Sequence, residues 1–380
     1  MFDFSRENKG IVASWWRNID KTILFLILLF FFLGLFFSFS STSSIIGEKL
    51  DKESYFFFLK HFAFVSLALI IIFIISVQKK ETIKTYLPYF FLISLLLLFL
   101  VFFIGIEIKG SKRWLNLFFL PRFQPIEIVK PIFVLISAQI ISSQLNYNLY
   151  KKYFFTLILL SVVLFLLIIQ PDLGQSALLL STWLIMVFSS GINFIILFVF
   201  FLICILILVS ILFFFPNKFG YILFRLKSFI DPSKGDNYQS EIALEAIMSG
   251  GFTGRGLGEG ILKDRVPAAH TDYMFAIIAE EFGVILILLL MIIFLFFSYK
   301  VLLKLLDAKD EYTKLVLVGL ISLLIIQTFI HIGVNIGLLP TTGITLPFLS
   351  YGGSSIIGSA IIAGLILNLT KKNLLVQENL

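Results

Sequence analysis

The chain has 380 residues, of which 59% are hydrophobic and 14% charged, and a formal net charge of +7. Soluble domains run at about 45–50% apolar and about 25% charged residues, so a water-soluble globule is excluded. The basic residues are scattered through short loops and not gathered on one face, which leaves no nucleic-acid surface. Cys204, the single cysteine, lies in an apolar run, so neither an intramolecular disulfide nor a thiolate metal cluster is available.

Runs of about 20 apolar residues recur along the chain, each long enough to cross roughly 30 Å of hydrocarbon as a helix. They lack the polar–apolar alternation of a spanning β-barrel. In chain order they predict ten helices, at 22–41, 56–77, 86–106, 125–144, 153–169, 173–190, 192–215, 273–299, 314–338 and 345–369. The first run is too long for a removed signal peptide and has no small-residue cleavage site, so it reads as the first span. Ten spans put both termini on one side. Placing 1–21 and 370–380 in the cytoplasm leaves fifteen Lys and Arg on that side, in the termini and short loops, against six in the short outer loops. That asymmetry follows the positive-inside rule. The expected fold is an all-α polytopic membrane protein, one unit over 1–380, with an outer basic loop at 107–124 and a large extracytoplasmic loop at 216–272. No internal repeat supports an inverted-repeat transporter.

The outer loop Glu107 to Gln124 gathers Lys109, Lys112, Arg113 and Arg122 around Trp114. Two readings fit: a contact to an anionic head group such as a lipid phosphate, or ordinary snorkelling to the headgroup layer. The 216–272 loop holds the dense glycine run Ser249 to Gly260, which includes Arg255. Such a run permits close backbone approach to a ligand, yet it is also a plain turn after a short amphipathic helix bearing Glu241 and Glu245. No Gly-Lys-Ser/Thr follows it, so it is not a nucleotide P-loop. Next comes Lys263 to Asp272, which includes Asp264 and His270 and runs into the eighth span. Asp272 suits a helix N-cap, or a general base at a low-dielectric boundary. His270 suits a metal, a proton relay or a structural role. Within the spans, polar groups are costly and usually face protein or a watery cavity. Glu127 and Lys130 lie at i, i+3; Glu280 and Glu281 sit in the eighth span, His331 and Asn335 share a face of the ninth, and Asp172 opens the sixth. Together they predict a polar interior beneath the outer loops.

Four ordered motifs resemble the SEDS family (shape, elongation, division and sporulation proteins). They are Lys112-Arg113-Trp114 followed by Phe123-Gln124-Pro125-Ile126-Glu127 with Lys130; Gln170-Pro171-Asp172-Leu173-Gly174; His270-Thr271-Asp272; and Gly343 to Ser355, which includes Ser354. The resemblance covers nearly the whole chain. The segments Gly254 to Gly260 and Ala269 to Glu281 look more like the FtsW division branch than the RodA elongation branch. It implies ten helices with cytoplasmic termini in the bacterial inner membrane, at the division septum, and polymerisation of lipid II, a disaccharide-pentapeptide on an undecaprenyl pyrophosphate, into glycan strands. The family's essential aspartate falls on Asp272 and its second acidic position on Asp264, where relatives often carry Glu. Lys112, Arg113, Trp114, Glu127, Lys130, Asp172, Arg255, His270 and Ser354 are the expected substrate contacts. A class B penicillin-binding protein and other divisome proteins are the implied partners. No cofactor is required by the residues, although Mg²⁺ or Mn²⁺ would help to neutralise a departing diphosphate. A lipid II flippase and a non-catalytic division scaffold are the competing readings.

Overall fold

A computed structural model describes residues 10–42, 56–108, 111–117, 121–144, 147–214, 220, 222, 224–225, 228–229, 231, 238–262, 265–266 and 270–371. Asp264, Lys109 and the tail beyond 371 lie outside the described residues.

Each of the ten apolar runs carries a helix. A short leading helix, α1 (Ile11–Asn18), precedes α2 (Lys21–Thr42), α3 (Phe56–Val77) and α4 (Lys80–Ile104). Then follow α5 (Ile126–Ile141), α6 (Leu149–Ile169), α7 (Leu173–Ser189) and α8 (Phe194–Phe214). Helix α9 (Tyr238–Gly250) lies in the predicted large loop and precedes α10 (Met274–Asp307), α11 (Glu311–Asn335) and α12 (Gly353–Leu369). Six of these, α2, α3, α4, α6, α10 and α11, are long and apolar enough to cross a membrane; α7, α8 and α12 are shorter apolar helices.

The centre of the bundle is α11, which packs against α5, α7 and α10. A β-carbon at its Gly319 would stand 2.5 Å from Val134 Cγ1 and 2.8 Å from Met186 Sδ, so three helices meet there because the position is glycine. The α12–α3 seam follows the same rule, with Gly353 against the Phe64 ring and Gly364 against Ile75. Asn368 closes that seam, its Nδ2 donating to the carbonyls of Ile75, Ser76 and Gln78 at the end of α3. Helix α8 is apolar on every side and largely exposed, the surface expected where lipid is the solvent.

Helix ends sort into two groups. At one end Lys80 pairs with Asp310, Lys304 with Asp20, and the Trp15 indole N–H donates to Ser76. At the other end lie the segments after α4, α6 and α11 and those before α5, α7, α10 and α12.

Three elements depart from the sequence expectation. The segment expected as an outer loop at 107–124 begins as an antiparallel hairpin of β1 (Ile106–Ile108) and β2 (Ser111–Trp114), extended by a bridge between Leu115 and Phe123. The all-α expectation therefore needs this two-stranded addition. The last span starts at Gly353 and not at 345, because Pro347 and the positive-φ residues Gly343 (φ 73) and Phe348 (φ 65) hold 336–352 in irregular backbone. Phe348 is fixed in that conformation by the rings of Phe30, Phe31 and Phe297. Finally, α10 continues to Asp307, past the predicted 299, and is broken at Gly283 (φ 77, ψ 176).

Candidate functional site

At the second group of helix ends lies a polar cavity of about 310 Å³. Its walls come from β2 (Ser111, Arg113, Trp114), the start of α5 (Gln124, Glu127), the segment before α9 (Arg225) and the entry to α10 (Thr271, Asp272, Tyr273). The irregular 341–345 segment and the start of α12 (Gly352, Ser354, Ser355) add to them, with Ile108, Gln239 and Val334 between. Three of these walls are helix N-termini, whose free N–H groups and dipoles favour an anion; Arg113 and Arg225 add to that pull, and the Glu127 and Asp272 carboxylates oppose it. A larger groove of about 760 Å³ between α4 and α6 is lined by apolar chains, and its one hydroxyl, Ser161, bonds its own helix. It is lipid-facing surface without chemistry.

Asp272 stands at the mouth of α10. The helix cap position is Tyr273, one residue later than the N-cap role expected for Asp272. The Asp272 carbonyl accepts from Asn335 Nδ2 at 3.1 Å, and the Asn335 Oδ1 accepts from Ala276 N at 3.2 Å. One side chain thus fixes both ends of the first turn. His331, one turn earlier on α11, donates from Nδ1 to the Ile344 carbonyl at 2.8 Å and fixes the facing 341–345 segment. A β-carbon at Gly343 would stand 3.7 Å from Asp272 Oδ2 and 4.0 Å from Arg113 Nη1. Carboxylate and guanidinium therefore face the same point, which glycine leaves open.

Arg113 reaches that point while bracing a strained turn. Pro171 has φ 29, and its carbonyl accepts from Arg113 Nη2. Nε bonds the Gln170 carbonyl at 3.4 Å, and Nη1 lies 3.6 Å from Asp172 Oδ1. Asp172 also accepts from Gln124 Nε2 at 3.0 Å and caps α7 through Gln175 N. The guanidinium charge is thus offset within the wall.

Below the cavity, Lys130 is 1% exposed. Its three ammonium donors are matched by Glu127 Oε1 at 3.0 Å, Glu127 Oε2 at 2.9 Å and Gln327 Oε1 at 3.2 Å. Gln175 Nε2 adds a bond to Glu127 at 2.9 Å, and Gln327 Nε2 holds the Thr345 carbonyl at 3.0 Å. A buried pair survives only when every donor and lone pair is so answered.

The sequence-predicted residues divide accordingly. Asp272, Arg113, Trp114, Glu127 and Ser354 line the cavity together; Ser354 Oγ accepts from Gln124 N at 2.9 Å. Lys112 does not: it is exposed opposite Glu107, while the irregular pairing beside it leaves both Arg113 and Trp114 on the cavity. Lys130 and Asp172 lie behind the wall. His270 faces elsewhere, with Nδ1 3.1 Å from Ser41 Oγ and its ring stacked on Phe57.

Arg255 is also off the cavity. Its backbone N–H donates to the Glu280 carbonyl at 2.9 Å and the Gly256 N–H to the Glu281 carbonyl at 3.0 Å. On the other side of the Gly283 break, Val284 N and Ile285 N donate to the carbonyls of Gly251 and Phe252. The Glu280 carboxylate accepts from Ile261 N and Leu262 N. The glycine run is a clasp that answers the peptide groups freed where α10 breaks.

Sequence reasoning passed over Arg225, Tyr273 and Thr342. An arginine kept in a Lys-rich, Arg-poor chain was the available signal for the first. Among the described residues no group of three or more His, Cys, Asp or Glu is placed to hold a metal ion.

Fold and site define a polytopic helical membrane protein with an anion-suited polar cavity at one end of its bundle. The chain belongs to the family described as "Cell cycle protein", which joins FtsW, RodA and SpoVE and matches residues 20–374; these are the SEDS proteins. It is 33% identical to the probable peptidoglycan glycosyltransferase FtsW of Coxiella burnetii over 95% of this chain and 98% of that one. It is 30% identical to that of Caulobacter vibrioides (97% and 93%) and 34% identical to stage V sporulation protein E of Bacillus subtilis (93% and 97%). Among solved structures, a chain of a peptidoglycan synthase complex that coordinates polymerization and crosslinking superposes with a TM-score of 0.76 at 24% identity, covering 93% of this chain and 97% of that one. Rod shape determining protein RodA of Thermus thermophilus gives 0.68 at 24%, with the same coverage. These two establish likeness of fold.

Proposed function

We propose that the chain is a peptidoglycan glycosyltransferase that polymerises lipid II, with Asp272 as the general base. The family and the names of its relatives support the activity; the observation that carries the base is the cavity itself. Asp272 is the carboxylate aimed at the open point beside Gly343, with its main chain locked by Asn335. Asp272 takes the proton of the acceptor sugar hydroxyl as that oxygen bonds the anomeric carbon of the donor. The bond from that carbon to the diphosphate breaks, and its electron pair leaves on the diphosphate. A diphosphate is already a good leaving group, so one carboxylate suffices where glycosidases use two. A single displacement turns the α-linked donor into a β-linkage. Among the described residues no acidic cluster is placed to hold a divalent cation, so neutralising charge from such an ion would come with the substrate's own phosphates.

The charge asymmetry supports a reading with both termini in the cytoplasm and the cavity on the outer side of the inner membrane. The similarity to FtsW proteins favours septal synthesis. The fold shared with a chain of a peptidoglycan synthase complex favours a class B penicillin-binding partner and the divisome. The test is strand formation by the purified chain and its partner from lipid II in detergent, with Asp272→Asn and Asp272→Ala. Loss of strands with retained folding is expected. Undiminished product overturns the assignment, and lipid movement without polymer marks a flippase.

A further inference from the structure

On the wall reached by Arg225, two hydroxyls have no hydrogen-bond partner among the described residues: Tyr273 Oη and Thr342 Oγ1. Both residues line the cavity, and Tyr273 is only 2% exposed. A buried hydroxyl without an acceptor is costly, so two in the wall of one cavity point to a place where a ligand supplies the acceptor. The Thr342 methyl side is packed against α7, where a β-carbon at Gly174 would meet Thr342 Cβ at 2.8 Å and Cγ2 at 3.3 Å. Arg225 is tied to the same segment by Nη1, which donates to the Thr341 carbonyl at 3.1 Å. Arg225, Asp272 and Tyr273 all line this one cavity, so guanidinium, phenol and carboxylate share its wall.

A guanidinium with two hydroxyl donors is the donor set of a phosphoryl oxyanion site. Arg113, the sequence's candidate for that task, has all three nitrogens engaged by the Gln170–Asp172 turn, and Asp172 offsets its charge. Resting on the glycosyltransferase reading for its biological substrate, we propose that Arg225, Tyr273 and Thr342 form the subsite that holds the diphosphate of a polyprenyl-linked substrate. Arg113 is then a positioning residue. Asp272 stands beside this subsite, and its negative charge keeps the phosphates to the Arg225 side, leaving the carboxylate for the sugar hydroxyl.

The probe is a short-chain polyprenyl diphosphate, titrated into the purified full-length chain in detergent beside the monophosphate and the free alcohol. The wild type should prefer diphosphate to alcohol, and Arg225→Gln should weaken diphosphate binding by about tenfold or more, with alcohol binding unmoved. Arg225→Lys should restore part of the loss, and Tyr273→Phe, which keeps shape, should weaken binding by about three- to tenfold. In strand formation the same variants should raise KM more than they lower kcat. Diphosphate binding unchanged in Arg225→Gln, or equal losses for diphosphate and alcohol, overturns the subsite. If Arg225→Gln fails to fold, the Lys and Phe variants carry the same decision. A wild type that binds diphosphate through Arg225 yet forms no strands with its partner leaves the subsite standing and removes the glycosyltransferase reading. Strand formation with KM indifferent to Arg225 does the reverse.

Discussion

The hairpin at 106–114 and the glycine run at 250–260 are the two loop segments that stand out in the sequence, and they do different work. The hairpin brings Ser111, Arg113 and Trp114 to the cavity. The glycine run carries the greater density of unusual residues, yet its close backbone approach is to the chain's own broken helix: a β-carbon at Gly254 would meet the Glu281 carbonyl at 2.2 Å. Glycine density thus announces a close approach without naming the partner. A basic cluster announces electrostatics without saying which cations are already answered.

The comparison breaks most sharply on activity. Asp272→Asn at the cavity should lower strand formation by about 10²–10⁴-fold with the thermal midpoint unchanged, measured with the partner present. Lys130→Met, beneath the hairpin wall, leaves Glu127 buried without its cation; a loss of about 3–5 kcal/mol should appear as a lowered thermal midpoint. Gly254→Ala in the clasp should cost about 1–3 kcal/mol for its φ of 81 alone. Its effect should be on thermal stability, with KM held in the fraction that folds. Asp310 sharpens the contrast with the far end of the bundle. Burial alone would push its carboxyl up, but the bond from Lys80 and those from Thr313 outweigh that and hold it below its ordinary value. Its contribution is present above the ordinary carboxylate range and is lost as pH falls through the lowered pKa; Asp310→Asn should lower stability at neutral pH and flatten that acid limb of a stability–pH curve, the two proteins converging at low pH. Arg255→Ala should change stability by less than about 0.5 kcal/mol and leave KM where it was. A large KM effect there would return the glycine run to the site.

Hydropathy located the helices because every crossing must be apolar and hydrogen-bonded within itself. The ends were less legible. Residues 345–352 are apolar enough to pass for helix, and only Pro347 and Gly343 hint at the irregular backbone that forms the cavity wall. Lys300 and Lys304 made α10 look shorter than it is, although long cationic chains at a membrane edge leave the helix free to continue. The hairpin left only a short signal, the alternation of Ile106-Glu107-Ile108 ahead of a glycine in the sequence. Asp272 was readable as a carboxylate at a boundary. That Arg113 is occupied and Arg225 is on the wall was not, since both facts depend on segments more than 50 residues apart meeting at one corner.

The break at Gly283 gives α10 two pieces with separate duties. Bilayers of different thickness tilt and shift a spanning helix. Here the clasp bonds both pieces, 255–256 to the first and 251–252 to the second, so the first, which begins beside Asp272 and is pinned by Asn335, and the spanning second keep a fixed angle to each other. The clasp closes the joint, since the Glu280 and Glu281 carbonyls and the Val284 and Ile285 N–H groups find partners in 251–256. The protein thus carries Asp272, the proposed base, on a short helical mount set at a fixed angle to the span that continues from it.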